Sequence, residues 1–519
     1  MRFASSILNW RLLQPVVMFF IVGCASTPLQ QIDQTFTGRL QKTLSAGITQ
    51  ISEKYIEHIS ASELALAGLR GLDNIDSDLI IEVETETLAV YSRGLSRREY
   101  FLPAENNADS WSSLMAVILQ YMRTGDTPIS TASEEKLFEA IFDGSMSLLD
   151  PFSRYAGTKN ASKNRAERSG FGGIGVEIGY EDKGARIIDV YPATPAAAAG
   201  LQANDLITHA NSAALAGLHP SKILKTIRGD IGSFIGLIVE RDGGTPFNLS
   251  IKRERILRPT VKLVLKNGIL QATVTGFNNE TSRQLATRIQ SAFTDTPAQV
   301  AGMVLDLRGN PGGVMTQAVM LADLFLVSGK ILSTRGRHPS SRHEYIARGN
   351  DILNNLPLVV LINGKSASAS EIVAAALQDQ QRAIIVGSAS FGKGSVQSVS
   401  RLPNGGELKL TWSQFITPSG YILHGLGVPP AVCLGVDDET ADEAIARSLE
   451  QIPVLQDVMS SWQELEFSDT EARRSLRATC PSNAQKRALD LQVAEKLIRD
   501  PELYRRIIGV SPSIASADK

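Results

Sequence analysis

Residues 356–379 read LPLVVLINGKSASASEIVAAALQD. The run from Leu358 to Ile362 is apolar without alternation, which is the pattern of a strand buried on both faces. Small and polar residues then turn the chain into an alanine-rich segment that predicts a helix starting near Glu371. The same alternation repeats on either side. Upstream, GMVLDL (302–307) leads through the glycine-rich RGNPGG into MTQAVMLADLFL (315–326). Downstream come the strand-like AIIVG (383–387), the loop SFGKG and the strand-like SVQSVSRL (395–402). Strands alternating with helices predict an α/β core with largely parallel pairing.

Outward from that core, the chain divides by pattern. Residues 24–168 read as mainly helical, with apolar residues at helical spacing in 61–72 and 134–149, and 160–170 (NASKNRAERSG) read as a polar linker. Residues 169–256 form a small strand-rich module that opens on the close-set glycines of FGGIGVEIGY (171–180) and contains one conspicuous helix near HPSKILKTIRG. The α/β core occupies 257–436, and 437–519 is charged and helical.

The strongest local candidate for chemistry is Ser368. It stands between a strand and a helix, where the amide of Ala369 lies at the positive end of the helix dipole and can bind a developing oxyanion. A serine hydroxyl needs a base. Lys393, flanked by Gly392 and Gly394, returns 25 residues later, and lysine serves as a base when an apolar pocket disfavours its ammonium form. Gln397 follows on strand-like sequence, placed by alternation on the same face as Lys393 to hold the amine. From spacing alone, Ser368-x-x-Glu371 is equally a helix capping box. Arg308-Gly-Asn-Pro-Gly-Gly313 allows backbone amides to approach a ligand, and alone it is also an ordinary tight turn.

Other chemistries fit less well. The stretch from Gly387 to Lys393 nearly spells a phosphate-binding loop, but Gly394 stands where the hydroxyl should be and a strand follows in place of a helix. The six histidines show neither triad order nor metal-ligand spacing, so no metal and no cofactor is expected. With 52 basic against 54 acidic residues, there is no electrostatic case for nucleic acid.

Residues 1–23 read as an export signal: Arg2 and Arg11 precede the apolar run 12–23, which is short for a permanent span. Ile-Val-Gly-Cys24-Ala resembles the lipobox of bacterial lipoproteins, so Cys24 is the expected lipidation site. Ala25 then implies sorting to the outer membrane and a periplasmic protein. Cys433 and Cys480 are the remaining cysteines. In an oxidising compartment they are a disulfide candidate, with two buried thiols as the alternative.

Taken together, SLLDPFSRY, FGGIGVEI, PATPAAAAGLQANDLI, LDLRGNPGG, SASASEI, FGKGSVQ and ITPSG, in that order from about Glu134 to Pro430, resemble the carboxyl-terminal processing (tail-specific) serine proteases. The resemblance implies a ClpP/crotonase-like α/β protease core with an inserted PDZ domain. It implies Ser368 as nucleophile, Lys393 as general base and Gln397 as its orienting partner. Ala369 and one of Gly312 and Gly313 would supply the oxyanion amides. Gly172, Gly173, Ile174 and Gly175 would grip the carboxylate of a peptide added to a sheet edge. Substrates would be exported proteins or peptides with free C-termini, with room for an adaptor protein and for oligomers. The rival is a catalytically silent peptide-binding scaffold. Two departures stand out: GVPPAV (427–432) lacks the usual Pro-Asp ending, and NSAALAGL lacks the usual glycine turn.

Overall fold

The computed structural model describes residues 34–296, 300–434, 439–466 and 468–509. The export signal and Cys24 lie outside the described residues.

At the centre is a six-stranded sheet. Its strands lie in the spatial order Val261–Lys266, Ile269–Val274, Gly302–Asp306, Leu358–Ile362, Ile384–Gly387 and Val432–Cys433. The first pair is antiparallel and all the others are parallel. A parallel sheet needs cover on both faces. Leu285, Leu321 and Ile372, from helices Thr281–Asp295, Met315–Asp323 and Ala369–Asp379, cover one face with Leu305, Val360 and Ile385 beneath them. The other face, with Val304, Val359 and Leu361, is covered by Ile445, Val493, Leu497 and Ile507 from helices after residue 440. Each such side chain contributes about 1.5–3 kcal/mol on burial. The C-terminal helices are therefore half of the core's cover, and a boundary at 436 divides one hydrophobic unit.

A second, antiparallel sheet stands beside the first, which qualifies the expectation of mainly parallel pairing. Its strands run in the order His343–Ile346, Lys330–Arg335, Glu407–Ile416, Ser395–Arg401. A short strand, Arg154–Ala156, also pairs with Glu407–Ile416. Leu402, Leu408 and Leu410 share one cluster with Leu44, Ile48, Trp111 and Phe138 of the N-terminal helices. That region is thus fastened to the second sheet.

Two further readings change. Residues 80–101 form a three-stranded antiparallel sheet, Ile80–Val83, Thr87–Ser92 and Leu95–Phe101, within the region read as helical. Its middle strand, TLAVYS, has the β-branched and aromatic content that favours pleated structure. The polar stretch read as a linker is the helix Thr158–Ser169. It buries only Ala161, so it has no apolar stripe to see. Arg165 and Arg168 instead anchor it by ion pairs to Glu407, each at 3.0 Å.

In the module between them, strand Val176–Glu181 is an edge of the sheet, and the tight hairpin turn without glycine is made by Asn211 and Ser212, both at positive φ. Cys433, on the last core strand, is joined to Cys480 by a disulfide, S–S 2.04 Å.

Candidate active site

Ser368 leaves the buried strand Leu358–Ile362 and opens a helix whose every residue is buried. Its backbone is at φ 56°, ψ −112°, a conformation that costs a non-glycine residue of order 1–3 kcal/mol and persists only where its surroundings dictate it. Those surroundings are specific. Asn310 O accepts from Ala367 N–H at 3.0 Å and from Ser370 Oγ at 3.0 Å. Ser366 Oγ donates to Leu307 O at 2.8 Å and accepts from Asn363 N–H at 3.0 Å. The neighbouring serines of the SASAS run are therefore buried structural ties, while Ser368 lines a cavity of about 540 Å³.

Glycine is required opposite Ser368. Gly312 has φ +94°, and a Cβ there would stand 2.6 Å from Ala367 O and 2.9 Å from Ser368 Cβ. The N–H of Gly312 donates to Asn310 Oδ1 at 2.9 Å, so it is already spent. Among the described residues the N–H groups of Gly313 and Ala369 donate to nothing, and Gly313 lines the same cavity. Of the two glycines left open, Gly313 is the one whose N–H is unspent.

Lys393 reaches that cavity from irregular chain just before strand Ser395–Arg401. Its neighbours are pinned across the loop: Gly425 N–H donates to Gly392 O, and Phe415 N–H to Gly394 O, both at 2.8 Å. The tie to Ser368 is Glu371. One oxygen of its fully buried carboxylate, Oε2, accepts from Ser368 N–H at 2.7 Å and from Lys393 N–H at 2.9 Å. The other, Oε1, accepts from Ser390 Oγ at 2.5 Å and Gly392 N–H at 2.6 Å. Burial pushes this carboxyl above its ordinary range against the pull of those donors. The capping-box residue is thus real, and it does more than cap: it draws two backbones to one atom.

Burial, reinforced by Arg154, holds the Lys393 amine below the usual lysine range, while Asp150 and Glu371 oppose the shift. The ammonium lies 4.6 Å from the ring centroid of Phe152, a cation–π contact, and no hydrogen bond joins it to Ser368. Gln397 lines the cavity, but its Nε2 donates to Ser395 Oγ at 2.8 Å and Ser395 O at 3.2 Å, and not to Lys393. Gln397 and Lys393 thus face one cavity, as alternation predicted, but without a bond between them; Lys393 precedes the strand, and the register shifts between Val396 and Gln397. In the small module, Gly172 O and Gly175 O are occupied by Gly229 and Tyr191, whereas the N–H groups of Ile174 and Gly175 donate to nothing among the described residues. Gly175 is at φ +92°, and any Cβ would collide with Thr194.

Residues 268–433 match Peptidase family S41 and residues 172–253 match a PDZ domain. A carboxy-terminal-processing protease of Bartonella bacilliformis is 37% identical over 59% of this chain and 71% of its own length. The chain belongs to peptidase family S41. A CtpA-like serine protease of Staphylococcus saprophyticus is 32% identical over 67% of this chain and 69% of its own. The photosystem II D1 C-terminal processing protease aligns at 25% identity over 72% of this chain and 92% of its own, with a TM-score of 0.35. By its family and its curated relatives, this S41 peptidase is a C-terminal processing serine protease with a PDZ domain.

Sequence reasoning passed over three polar groups that shape the S41 site: Glu371 as a bridge, and Arg154 and Lys409, which line the cavity. Ser-x-x-Glu was visible but pointed to a local cap. Nothing in spacing connects residues 154, 393 and 409.

Proposed function

We propose that this peptidase cleaves exported proteins through a Ser368–Lys393 dyad. The observation that carries the reading is the shared Glu371 oxygen, which fixes the backbones of Ser368 and Lys393 to one point beside a common cavity. Neutral Lys393 leaves the Phe152 ring and takes the Ser368 hydroxyl proton as Oγ bonds to the scissile carbonyl carbon. The N–H groups of Ala369 and Gly313 receive the oxyanion. Collapse breaks the C–N bond, with the Lys393 ammonium returning the proton to the departing amine. Water then attacks the acyl-enzyme, again losing its proton to Lys393, and the acid is released with Ser368 restored.

The PDZ module would present the substrate's tail. The free amides of Ile174 and Gly175 suit a C-terminal carboxylate, beside an edge strand open to β-addition. By the lipobox resemblance, Cys24 would anchor the enzyme in the envelope.

The test is cleavage of fluorogenic peptides by folded variants. Ser368→Ala and Lys393→Arg are expected to be inactive, the latter because a guanidinium does not deprotonate in the working range. Wild-type activity should climb with pH as Lys393 loses its proton. Ser366→Ala and Ser370→Ala should keep turnover at a stability cost of about 1–3 kcal/mol from the buried partners left unpaired. Clear turnover by Lys393→Arg would overturn the base, and unchanged turnover by Ser368→Ala the site.

A further inference from the structure

The catalytic cavity holds more positive charge than the dyad needs. Arg154 and Lys409 lie directly opposite one another on paired antiparallel strands, and both line the cavity with Ser368 and Lys393. Directly opposed residues share a face, and like charges there repel. The nearest acid on the same strand does not relieve them: buried Glu407 is already held by Arg165 and by Arg168, which bonds both of its oxygens at 3.0 Å. The other acid in the cavity lining, Glu167, is exposed. Among the described residues, neither Arg154 nor Lys409 has a carboxylate within ion-pair distance, although Lys409 is half-buried. Burial, with Lys393, Arg154 and Arg168 nearby, pushes the Lys409 amine down to about 8. A half-buried, unpaired cation is costly to hold, and an arriving anion would relieve that cost.

Resting on the reading of this cavity as the active site, we propose that Arg154 and Lys409 form a carboxylate-binding subsite that selects substrates carrying an acidic group close to the cleaved bond. The carboxylate can come from an Asp or Glu side chain or from the peptide's own C-terminus. Arg154 offers a planar fork of donors for it and Lys409 a point charge.

The experiment uses the full-length enzyme and quenched peptides that differ at one position, Glu, Gln or Lys, scanned across the residues flanking the cleaved bond. Each is made as free acid and as C-terminal amide. At pH 7 one Glu peptide should exceed its Gln twin by about tenfold in kcat/KM, the scale of a charge-assisted hydrogen bond. If the source is the α-carboxylate, the acid-to-amide ratio takes that value instead. Lys409→Gln and Arg154→Gln should each shrink the ratio, and the double variant should bring it near one. Lys409→Glu should turn the preference toward the Lys peptide. The ratio should also fade above about pH 8 as Lys409 loses its charge, while the absolute rate climbs. An amide effect that survives in the double variant belongs to the PDZ module, and if no Glu-over-Gln preference accompanies it in the wild type, the subsite is overturned. If the substitutions only shift the pH profile, equally for all peptides, the two cations tune Lys393 and select nothing, which overturns the proposal. Ser368→Ala in the same assay reports on the dyad separately: its failure to inactivate would remove the site, whereas an unselective wild type would remove only the subsite.

Discussion

The two halves of the active site are built differently. Ser368 stands where one buried strand passes into one buried helix, and its loop is held by buried ties to the turn after the neighbouring core strand, Asn310 to Ala367 and Ser370 and Ser366 to Leu307, with Ser366 to Asn363 inside the loop itself. Lys393 stands in irregular chain that is supported in part by the C-terminal region. Arg477, 86 residues on, donates to Phe391 O at 2.7 Å and to Ser390 O at 2.6 Å. Arg473 on the same short helix, Thr470–Arg477, donates to Ile422 O at 2.6 Å and to His424 O, on the adjacent loop. The Cys433–Cys480 disulfide then fastens the end of that helix to the core sheet. The proposed nucleophile is thus placed by two adjacent strands of the core sheet and the turns that follow them, and the proposed base by a loop that the C-terminal region helps to hold. Local opening should accordingly reach the Lys393 loop first, because part of its support, the Arg477 bonds, lies open to solvent, whereas the ties of the Ser368 loop are buried.

Glu371 joins the halves, so its loss should have the largest effect. Each of its oxygens holds two donors. Glu371→Gln can replace only one oxygen and would turn an NH₂ group toward two N–H or O–H donors. The expected outcome is a stability loss of about 2–3 kcal/mol for the buried groups left unpaired. A fall of about a hundredfold in kcat should accompany it, the scale of an ångström of misplacement. Denaturant melts and steady-state kinetics check both. A Glu371→Gln enzyme with wild-type kcat would mean that the two backbones hold their positions unaided.

Next come the supports on the lysine side alone. Cys433 and Cys480 close a loop of 47 residues, worth about 4 kcal/mol in the chain-entropy model. Because the C-terminal helices share the sheet's core, part of that loop stays docked when the bond is opened. Cys480→Ser and Arg477→Met should therefore lower kcat about tenfold, with hydrogen exchange quickening around 390–394 and 424–427 while 366–371 stays protected. Equal deprotection of both loops would erase the distinction between them.

The same difference explains what could be read in advance. Strand, turn and helix around Ser368 are contiguous, so hydrophobic run, small residues and alanine-rich segment point one way. The glycines at 312 and 313 were legible for a similar reason, being needed where backbone meets backbone. Lys393 has only its flanking glycines as a local signature, and the order of several motifs was needed to tie it to Ser368. Arg154 and Lys409 meet only because a three-residue strand pairs with a distant one. The helix Thr158–Ser169 carried no apolar stripe, since ion pairs to Glu407 hold it in place of packing. The C-terminal helices showed their periodicity but not their target, which is the far face of the catalytic sheet.

The smallest effect tests the electrostatic side of the contrast. The serine loop is held by hydrogen bonds among groups that do not titrate between pH 8 and 10, together with one carboxylate. The lysine side places Lys393, Lys409 and Arg154 together. For Lys409 the folded amine titrates at about 8 against an ordinary value of 10.5, so between those values the unfolded chain binds more protons than the folded one. Stability must then rise with pH across that window, being penalised most below about pH 8, where the folded protein carries the buried charge, and free of the penalty above about pH 10.5. Lys409→Met keeps the stem and removes the charge. It should stabilise the protein at pH 7 by about 1 kcal/mol once solvent screening of a half-buried group is allowed for. It should also flatten the rise in denaturation midpoint between pH 8 and 10. Lys393, whose amine is shifted in the same direction, would leave a residual slope. A wild type whose midpoint falls steadily from pH 8 to 10, or a Lys409→Met protein with an undiminished rise, would show that this cluster is not under the electrostatic strain inferred for it.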